Sequence, residues 1–451
     1  MPQLRERPQP FLSPAFCKGC GRCIETCFHG CITPGEEIDP ASGLIPVRLD
    51  LERCNSCGLC ISACPEPYGL RPRTEVDPGL PVRSRGRVRR RAAPVPDALL
   101  PLPQLEPLVV KGTYASAIGA LLAGCRHFFG YPITPSTEGA ELMAKLLPEL
   151  DGVFLQAVSE VATVNHMYGC GGAGLRSMTF TSSPGFSLML EGISYMIGAE
   201  VPGVFVDVMR GGPGLGNIGP EQGDIKLACR GLGHGNTYAP VLAPATPQEM
   251  LDLTHLAFDL AFRYRTPVVV LGDGYLGQMT GRVRLPRSMV RPGLPEWAVF
   301  GDAAHRENLI CSIHLSETDL EQHNDHLTDK YRRMAGEARA ETFRAEDAEV
   351  LVVACNTPSQ IARAAVQALR RSGVRAGLFR PITLWPFPIE PLRPLLQDAR
   401  RLLVVEASAG QLEDELRLAM SHAGIGGVPI ESVRHTGGVL PQVREIVSRL
   451  A

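Results

Sequence analysis

From residue 108 onward, short apolar runs alternate with longer stretches in which apolar side chains recur at three- and four-residue spacing. The runs read as strands and the spaced stretches as helices, because side chains repeat every second residue in a strand and about every 3.6 in a helix. Strands are expected at 153–157, 176–181, 204–209 and 267–271, and helices at 112–124, 137–147, 161–169, 186–199 and 247–262, with a turn at 130–135. These strands are apolar almost throughout, which suits a parallel sheet covered by helices on both faces. Residues 346–451 repeat the rhythm, with strands at 350–354 and 402–406 and helices at 358–371 and 412–423. The 291–345 stretch between them is polar and charged and reads as a connection. Residues 1–70 show little helical periodicity and many cysteines. Residues 71–107 are rich in proline and arginine and read as a linker, extended where prolines dominate. The expected fold class is α/β, with a small domain at 1–70 and larger domains at 108–290 and 346–451.

Composition narrows the class without naming a partner. The 451 residues allow about three domains at ~150 residues each. Lys+Arg 45 against Asp+Glu 47 leave a net charge of −2. No apolar run approaches the ~18 residues that cross a bilayer, and residues 1–16 lack the apolar centre of a signal peptide. A cytoplasmic protein with no membrane partner is expected. Six arginines between Arg83 and Arg91 could steer an acidic electron carrier or a nucleic acid. No aromatic residues interleave them, so the reading kept is a solvated linker with no nucleic-acid partner.

Cysteine spacing changes the picture most. Nine of the 14 cysteines fall between Cys17 and Cys64, whereas Cys125, Cys170, Cys229, Cys311 and Cys355 are scattered singly. A secreted disulfide scaffold would spread them, so clustering points to metal ligation in a reducing compartment. The first motif is Cys17-x2-Cys20-x2-Cys23-x3-Cys27 and the second Cys54-x2-Cys57-x2-Cys60-x3-Cys64-Pro65. Three thiolates at this spacing wrap one face of a cubane, and the fourth comes from the other motif. The expected ligand sets are Cys17, Cys20, Cys23 and Cys64 for one 4Fe-4S cluster, and Cys54, Cys57, Cys60 and Cys27 for the other. Structural zinc is the competing reading, but it does not need eight cysteines in this doubled pattern. Phe28 stands where the first motif would usually have proline, which loosens the turn and removes no ligand. Cys31 is read as a small packing residue, with a spare ligand as the alternative.

Several other motifs carry nothing. Gly169-Cys170-Gly171-Gly172-Ala173-Gly174 matches G-x-G-x-x-G, but a helix precedes it and a strand follows, the reverse of a dinucleotide site. Close helix–sheet packing explains it. Gly272-Asp273-Gly274 resembles the start of a Mg-diphosphate motif, yet Asn308 lies across the polar connection, so a strand-end turn is expected. His166, His234, His255 and His305 have no Cys or carboxylate at ligand spacing and read as structural or surface residues rather than ligands.

Three further segments look functional. Tyr131-Pro132-Ile133-Thr134-Pro135-Ser136-Thr137 is a rigid turn opening a helix, where hydroxyls and a helix N-terminus can hold a carboxylate. Ser182-Ser183-Pro184-Gly185 opens another helix in the same way. Arg210-Gly211-Gly212-Pro213-Gly214 sets an arginine at a strand end, where α/β folds place their ligands. Glu160 alone reads as a first-turn helix carboxylate. Taken together, YPITPSTE, QAVSEVATVNHMYG, TFTSSPGFSLMLEGISYMIGAEVP and VMRGGPGLG resemble the α subunit of 2-oxoacid:ferredoxin oxidoreductases. The likeness continues through HGNTY, AFDLAFRYRTPVVVLGDGYLGQM, RPITLWPFP and VVEASAGQLEDEL, covering residues ~108–451 in order. The cysteine region is similar to the ferredoxin-like subunit of the same enzymes, fused in front. The branched-chain type, acting on 3-methyl-2-oxobutanoate, is the nearest in detail, followed by the 2-oxoglutarate type.

The resemblance implies a ferredoxin-like α+β domain, a thiamine-enzyme pyrimidine-binding domain and a transketolase C-terminal-like domain. It implies oxidative decarboxylation of a 2-oxoacid with CoA, using thiamine diphosphate and Mg. Glu160 would bind the aminopyrimidine, with Tyr131, Pro132 and Ser183 also on the cofactor. Thr134 and Arg210 would take the substrate carboxylate. It further implies a β subunit carrying the Mg-diphosphate site, a γ subunit, and ferredoxin or flavodoxin as electron acceptor, so this chain would be inactive alone. Pyruvate as substrate and a non-catalytic electron-transfer module are the alternatives. An arylpyruvate oxidoreductase is disfavoured, since those chains carry the ferredoxin motifs at the other end.

Overall fold

The computed structural model describes residues 8–40, 43–66, 69–73, 95–302 and 304–450. It falls into two compact units, residues 1–89 and 90–451. The arginine run at 83–91 lies outside the described residues.

In the N-terminal unit, strand Pro10–Leu12 pairs antiparallel with Leu70–Pro72, and Ile32–Thr33 with Arg48–Leu49. Two short helices, Arg22–Thr26 and Leu59–Ala63, pack on each other. The buried core is Cys23, Cys31, Ile32, Val47, Cys60 and Leu70.

The larger unit is built on a seven-stranded sheet. Its order is Thr383–Trp385, Val241–Leu242, Pro267–Asp273, Gly203–Met209, Ser177–Thr181, His127–Gly130 and Val153–Gln156. Every pairing is parallel except that of Thr383–Trp385. Strands Gly203–Met209, Ser177–Thr181 and Pro267–Asp273 are buried at every position. Alternate residues feed opposite faces, as strand geometry demands. Val204, Val206 and Val208 join one core, against helices Gly112–Leu122 and Pro247–Tyr264. Phe205 and Met209 join the other, against Glu160–Gly172 and Ser183–Gly198. The helices fit closely because Gly119 faces the backbone of Leu251, where a Cβ would meet the carbonyl oxygen at 2.3 Å.

A second, five-stranded sheet has the order Ala340–Phe343, Ala376–Pro381, Val350–Val353, Arg401–Glu406 and Ile430–Arg434. Leu351, Val353, Phe379, Leu402 and Val404 face the same core as Phe205 and Met209, so the two sheets share it. The outer face packs helices Asn356–Arg371 and Val443–Leu450.

Three of the stretches that differ from the sequence reading bear on the architecture. The polar connection contains helix Glu317–Met334, capped by Ser316 and burying Leu327, Lys330, Tyr331 and Met334. Lys330 is 2% exposed and bonded to Glu200 at 3.0 Å and to the carbonyl of Arg265. Residues Ala98–Pro101, inside the stretch read as linker, pair with Ser288–Arg291. The turn expected at 130–135 begins after a strand, His127–Gly130. The glycine motif at 169–174 ends a helix, and a Cβ on Gly171 would meet the Pro202 carbonyl at 2.3 Å, consistent with close packing. Asp273 ends a strand and caps the next helix, accepting from Leu276 N at 2.9 Å.

Candidate functional site

The two cysteine motifs fold alike. Left-handed Gly21 (φ 78°) and Gly58 (φ 80°) turn the chain into helices that carry the third cysteine of each motif, Cys23 and Cys60, into the core. Only glycine adopts such turns at little cost. One cavity is lined by Cys17, Cys20, Cys23 and Cys64, and another by Cys27, Cys54, Cys57 and Cys60 together with Cys31. Each cavity thus takes cysteines from both motifs. Backbone N–H groups point at the sulfurs: Cys31 N donates to Cys27 Sγ at 3.3 Å and Ser56 N to Cys54 Sγ at 3.4 Å. Among the described residues no three metal-binding side chains converge on a single-ion point, as zinc requires. A cubane would hold its thiolates around a larger body than a single ion. Burial pushes the Cys60 thiol up to about 11 and raises that of Cys23, so the positive charge of iron is what would keep them as thiolates. Cys31 is buried beside Cys27, whereas Phe28 is fully on the surface.

The remaining candidates sit where strands of the seven-stranded sheet end. The chain runs from His127–Gly130 to the edge strand Val153–Gln156 and then returns to Ser177–Thr181 on the other side. That reversal opens a crevice at the carboxyl ends, the usual ligand position in open α/β sheets. Tyr131, Pro132 and Thr134 lie exposed on the loop that leaves this point.

Glu160 is the first residue of its helix and is 5% exposed. Ser159 caps the helix, its hydroxyl accepting from Ala162 N at 3.2 Å. A Cβ built on Gly185 would come within 2.5 Å of Glu160 Oε1 and 2.4 Å of Thr181 Oγ1. Glycine keeps that space open. The Thr181 hydroxyl is buried with no hydrogen-bond partner. A buried carboxyl beside an unsatisfied hydroxyl offers both acceptor and donor capacity, which a heteroaromatic ring bearing a ring nitrogen and an amino group would satisfy.

Arg210 follows strand Gly203–Met209. Nη1 donates to the Thr134 carbonyl at 2.9 Å and Nη2 to the Leu215 carbonyl at 3.1 Å. Its Nε is buried without a partner. The structure therefore brings Arg210 and Thr134 together. Ser183 supports Arg210: its Oγ accepts from Arg210 N at 3.0 Å and donates to the Asp224 carboxyl. A cavity of ≈ 480 Å³ opens beside this cluster, lined by Arg210, Ser183, Asp224 and Glu221 and by Ser408 and Gln411 of the C-terminal segment. His166 stacks on Phe129, and His234 meets Tyr195 edge-on. Sequence reasoning named Gly185 only as part of a helix-opening turn and missed Thr181, Asp207 and Asp224. Asp207 had a visible signal, a lone carboxylate inside the apolar run Val204–Met209.

Comparison with known proteins decides the family. The profile described as "Pyruvate flavodoxin/ferredoxin oxidoreductase, thiamine diP-bdg" matches residues 118–369. The chain belongs to the 2-oxoacid:ferredoxin oxidoreductase family. "Pyruvate:ferredoxin oxidoreductase core domain II" matches residues 348–446 and "4Fe-4S dicluster domain" residues 16–67. The chain is an α-type subunit of this family with an N-terminal 4Fe-4S domain, a thiamine diphosphate-binding domain and a role in multi-subunit oxidoreductases. Ketoisovalerate oxidoreductase subunit VorB of Methanothermobacter thermautotrophicus is 46% identical over 345 residues, covering 76% of this chain and 96% of the relative. 2-Oxoglutarate synthase subunit KorA of the same organism is 35% identical over 383 residues, covering 76% and 98%. The 2-oxoglutarate:ferredoxin oxidoreductase of Magnetococcus marinus, solved with 2-oxoglutarate, coenzyme A and succinyl-CoA, aligns at TM-score 0.69 and 26% identity, over 76% of this chain and 64% of that one. No helix among the described residues is long and apolar enough to cross a membrane.

Proposed function

We propose that this chain catalyses, with a β subunit, the reaction 2-oxoacid + CoA + 2 oxidised ferredoxin → acyl-CoA + CO2 + 2 reduced ferredoxin + H+, and that its 2-oxoacid is 3-methyl-2-oxobutanoate. The observation that carries this is the pairing of the Glu160–Thr181–Gly185 cradle with Arg210 and Thr134 at neighbouring strand ends. The substrate follows the relative named for ketoisovalerate, at 46% identity against 35% for the 2-oxoglutarate synthase subunit.

Thiamine diphosphate, bound with Mg, would supply the nucleophile and the electron sink. Glu160 shares a proton with a ring nitrogen of the aminopyrimidine, which is why the position takes a carboxylate. Tyr131 and Pro132 border the ring, and Ser183 fixes the loop that carries Arg210. The free N–H groups of Arg210 and the Thr134 hydroxyl take the 2-oxoacid carboxylate, a task for which a planar guanidinium is suited. Cys17, Cys20, Cys23 and Cys64 would hold one 4Fe-4S cluster and Cys27, Cys54, Cys57 and Cys60 a second, which together would supply a path for the two electrons to ferredoxin or flavodoxin. The diphosphate and Mg belong to the β subunit. Its docking is supported by large apolar side chains left exposed around the site: Val158, Val161, Leu188, Leu215, Ile218 and Tyr275. A γ subunit completes the complex, which works in the cytoplasm.

Glu160→Ala in the assembled complex tests this reading. It should lower CoA-dependent viologen reduction by about 10²–10⁴-fold, with iron content unchanged. Full activity in the variant would leave the chain a non-catalytic electron carrier.

A further inference from the structure

The loop that carries Arg210 runs from the end of strand Gly203–Met209 to helix Ile225–Arg230. Its first part closes into a ring: Gly211 N donates to the Gly219 carbonyl and Asn217 N to the Gly211 carbonyl, both at 3.0 Å. Within that ring the Leu215 carbonyl accepts from Arg210 Nη2 at 3.1 Å. The ring therefore sets one of the two contacts that aim the guanidinium. Packing does not hold it, because its large apolar side chains, Leu215 and Ile218, are 81% and 62% exposed.

What holds the ring is the five-stranded sheet. Strand Ile430–Arg434 leads into Gly437, which is gripped at both of its backbone groups. Glu221 Oε2 accepts from Gly437 N at 3.2 Å, and Asn217 Nδ2 donates to the Gly437 carbonyl at 3.0 Å. Both side chains also reach back into the loop. Glu221 Oε2 accepts from Gly212 N at 3.0 Å, and Asn217 Oδ1 accepts from Gly219 N at 2.8 Å. The two backbones touch, since a Cβ on Gly219 would lie 2.9 Å from Gly438 Cα. A second tie follows directly: Gln222 N donates to the Ala407 carbonyl at 2.7 Å, and Gln222 Oε1 accepts from Ala407 N at 2.8 Å. Glu221 and Gln222 are buried, so water competes poorly for these bonds.

We propose that Glu221 and Asn217 are positioning residues that clamp the Arg210 loop onto the five-stranded sheet, so that this sheet aims the substrate arginine; the role of Arg210 itself rests on the function proposed above. The contacts form one continuous path. Gly437 fixes Glu221 and Asn217, these fix Gly212 and Gly219, and the closed ring presents the Leu215 carbonyl to Arg210. The two sheets already share a core, so the clamp is not needed to hold them together. It sits instead at the ≈ 480 Å³ cavity lined by Arg210 and Glu221 and, from the other sheet's side, by Ser408, Gln411 and Thr436. Displacing a binding group by about 1 Å can cost about 10²-fold, so a loosened ring is felt at the substrate.

The test uses the assembled complex with thiamine diphosphate, Mg and CoA, under anaerobic conditions. Asn217→Ala and Glu221→Ala should each raise KM for the preferred 2-oxoacid about tenfold, with a smaller change in kcat. Asn217 is exposed, so its variant decides the matter if Glu221→Ala fails to fold. Glu221→Gln keeps an acceptor oxygen for both N–H groups and should recover most of the affinity. Adding Asn217→Ala to Arg210→Lys should raise KM little further, because the donor fork that the clamp aims is already gone. Hydrogen exchange at residues 211–219 should quicken in Asn217→Ala and Glu221→Ala. A merely structural role would lower the melting temperature and leave KM where it was. If Arg210→Lys raises KM while the clamp variants do not, or if Glu221→Gln is as impaired as Glu221→Ala, the clamp is overturned and the role of Arg210 stands. If Arg210→Lys leaves KM unchanged, the role of Arg210 falls and the proposal with it. Should no 2-oxoacid be turned over, the enzymatic reading falls and loop exchange decides: faster exchange in the variants supports the clamp, and unchanged exchange overturns it.

Discussion

In the cysteine-rich unit the buried side chains of the core are Cys23, Cys31, Ile32, Val47, Cys60 and Leu70, whereas strand Gly203–Met209 of the α/β unit buries seven consecutive positions by itself. Half of the first core is cysteine, and the aliphatic half could not hold so short a chain alone, since below ≈ 40–70 residues domains usually need metals or disulfides. The second unit has cores on both faces of its sheet and needs no such staple. One unit is therefore specified by ligand spacing and the other by apolar pattern.

The sharpest way to break this contrast is to take the iron away. Anaerobic chelation should expose the N-terminal unit to proteolysis, because binding energy at a structural metal site is folding energy, while the thermal transition of the α/β unit stays where it was. Persistence of a protease-resistant N-terminal fragment without iron would remove the difference between the two units. A smaller effect should separate them functionally. Arg210→Lys should raise KM for the 2-oxoacid by about 10–100-fold, since lysine cannot reproduce the planar donor fork, and should leave cluster content untouched. Equal iron loss in this variant would show that the two regions are not independent.

The smallest expected effect concerns acid. Burial pushes the Glu341 carboxyl up, but its bonds to Arg380 and Arg363 outweigh this and hold it below the usual range. Glu413 is held down in the same way by Arg434 and Arg417. A depressed carboxyl contributes stability above its unfolded pKa of about 4.3, and that contribution is lost as pH falls through the lower folded value. The melting temperature of the α/β unit should therefore decline on acidification below about pH 4–5, and Glu341→Gln should make the decline shallower. Unchanged curvature in Glu341→Gln would show that this ion pair carries none of the acid sensitivity.

How much was legible in the sequence follows the same division. Cysteine spacing is a local property, so the crossing of both motifs into each cavity could be anticipated without a fold. The fully buried strands were equally plain, because nothing but a parallel sheet needs runs such as Val204–Met209. Helix Glu317–Met334 was not legible, since its buried stripe is Leu327, Lys330, Tyr331 and Met334: one of the four is a lysine, neutralised by Glu200 from far along the chain. Strand Ala376–Pro381 escaped because Gly377 and Arg380 interrupt its apolar run, and only tertiary contact with Glu249 and Glu341 makes Arg380 a core residue. Strand Ala98–Pro101 was hidden in a proline-rich stretch and exists only through its partner Ser288–Arg291. At the site, Glu160, Thr134 and Arg210 stood in readable segments. The open space over Gly185 depends on residues distant in sequence, which no local pattern encodes.

The central claim is that the α/β unit does 2-oxoacid chemistry and the cysteine-rich unit carries the electrons away. The measurement that tests it most directly is anaerobic viologen reduction by the complex of this chain with its partner subunits, with thiamine diphosphate, Mg and CoA, across a panel of 2-oxoacids. The account predicts CoA-dependent reduction, fastest with 3-methyl-2-oxobutanoate. A preference for 2-oxoglutarate or pyruvate would contradict the substrate assignment, and no reduction with any 2-oxoacid by a complex with full clusters would contradict the catalytic role itself.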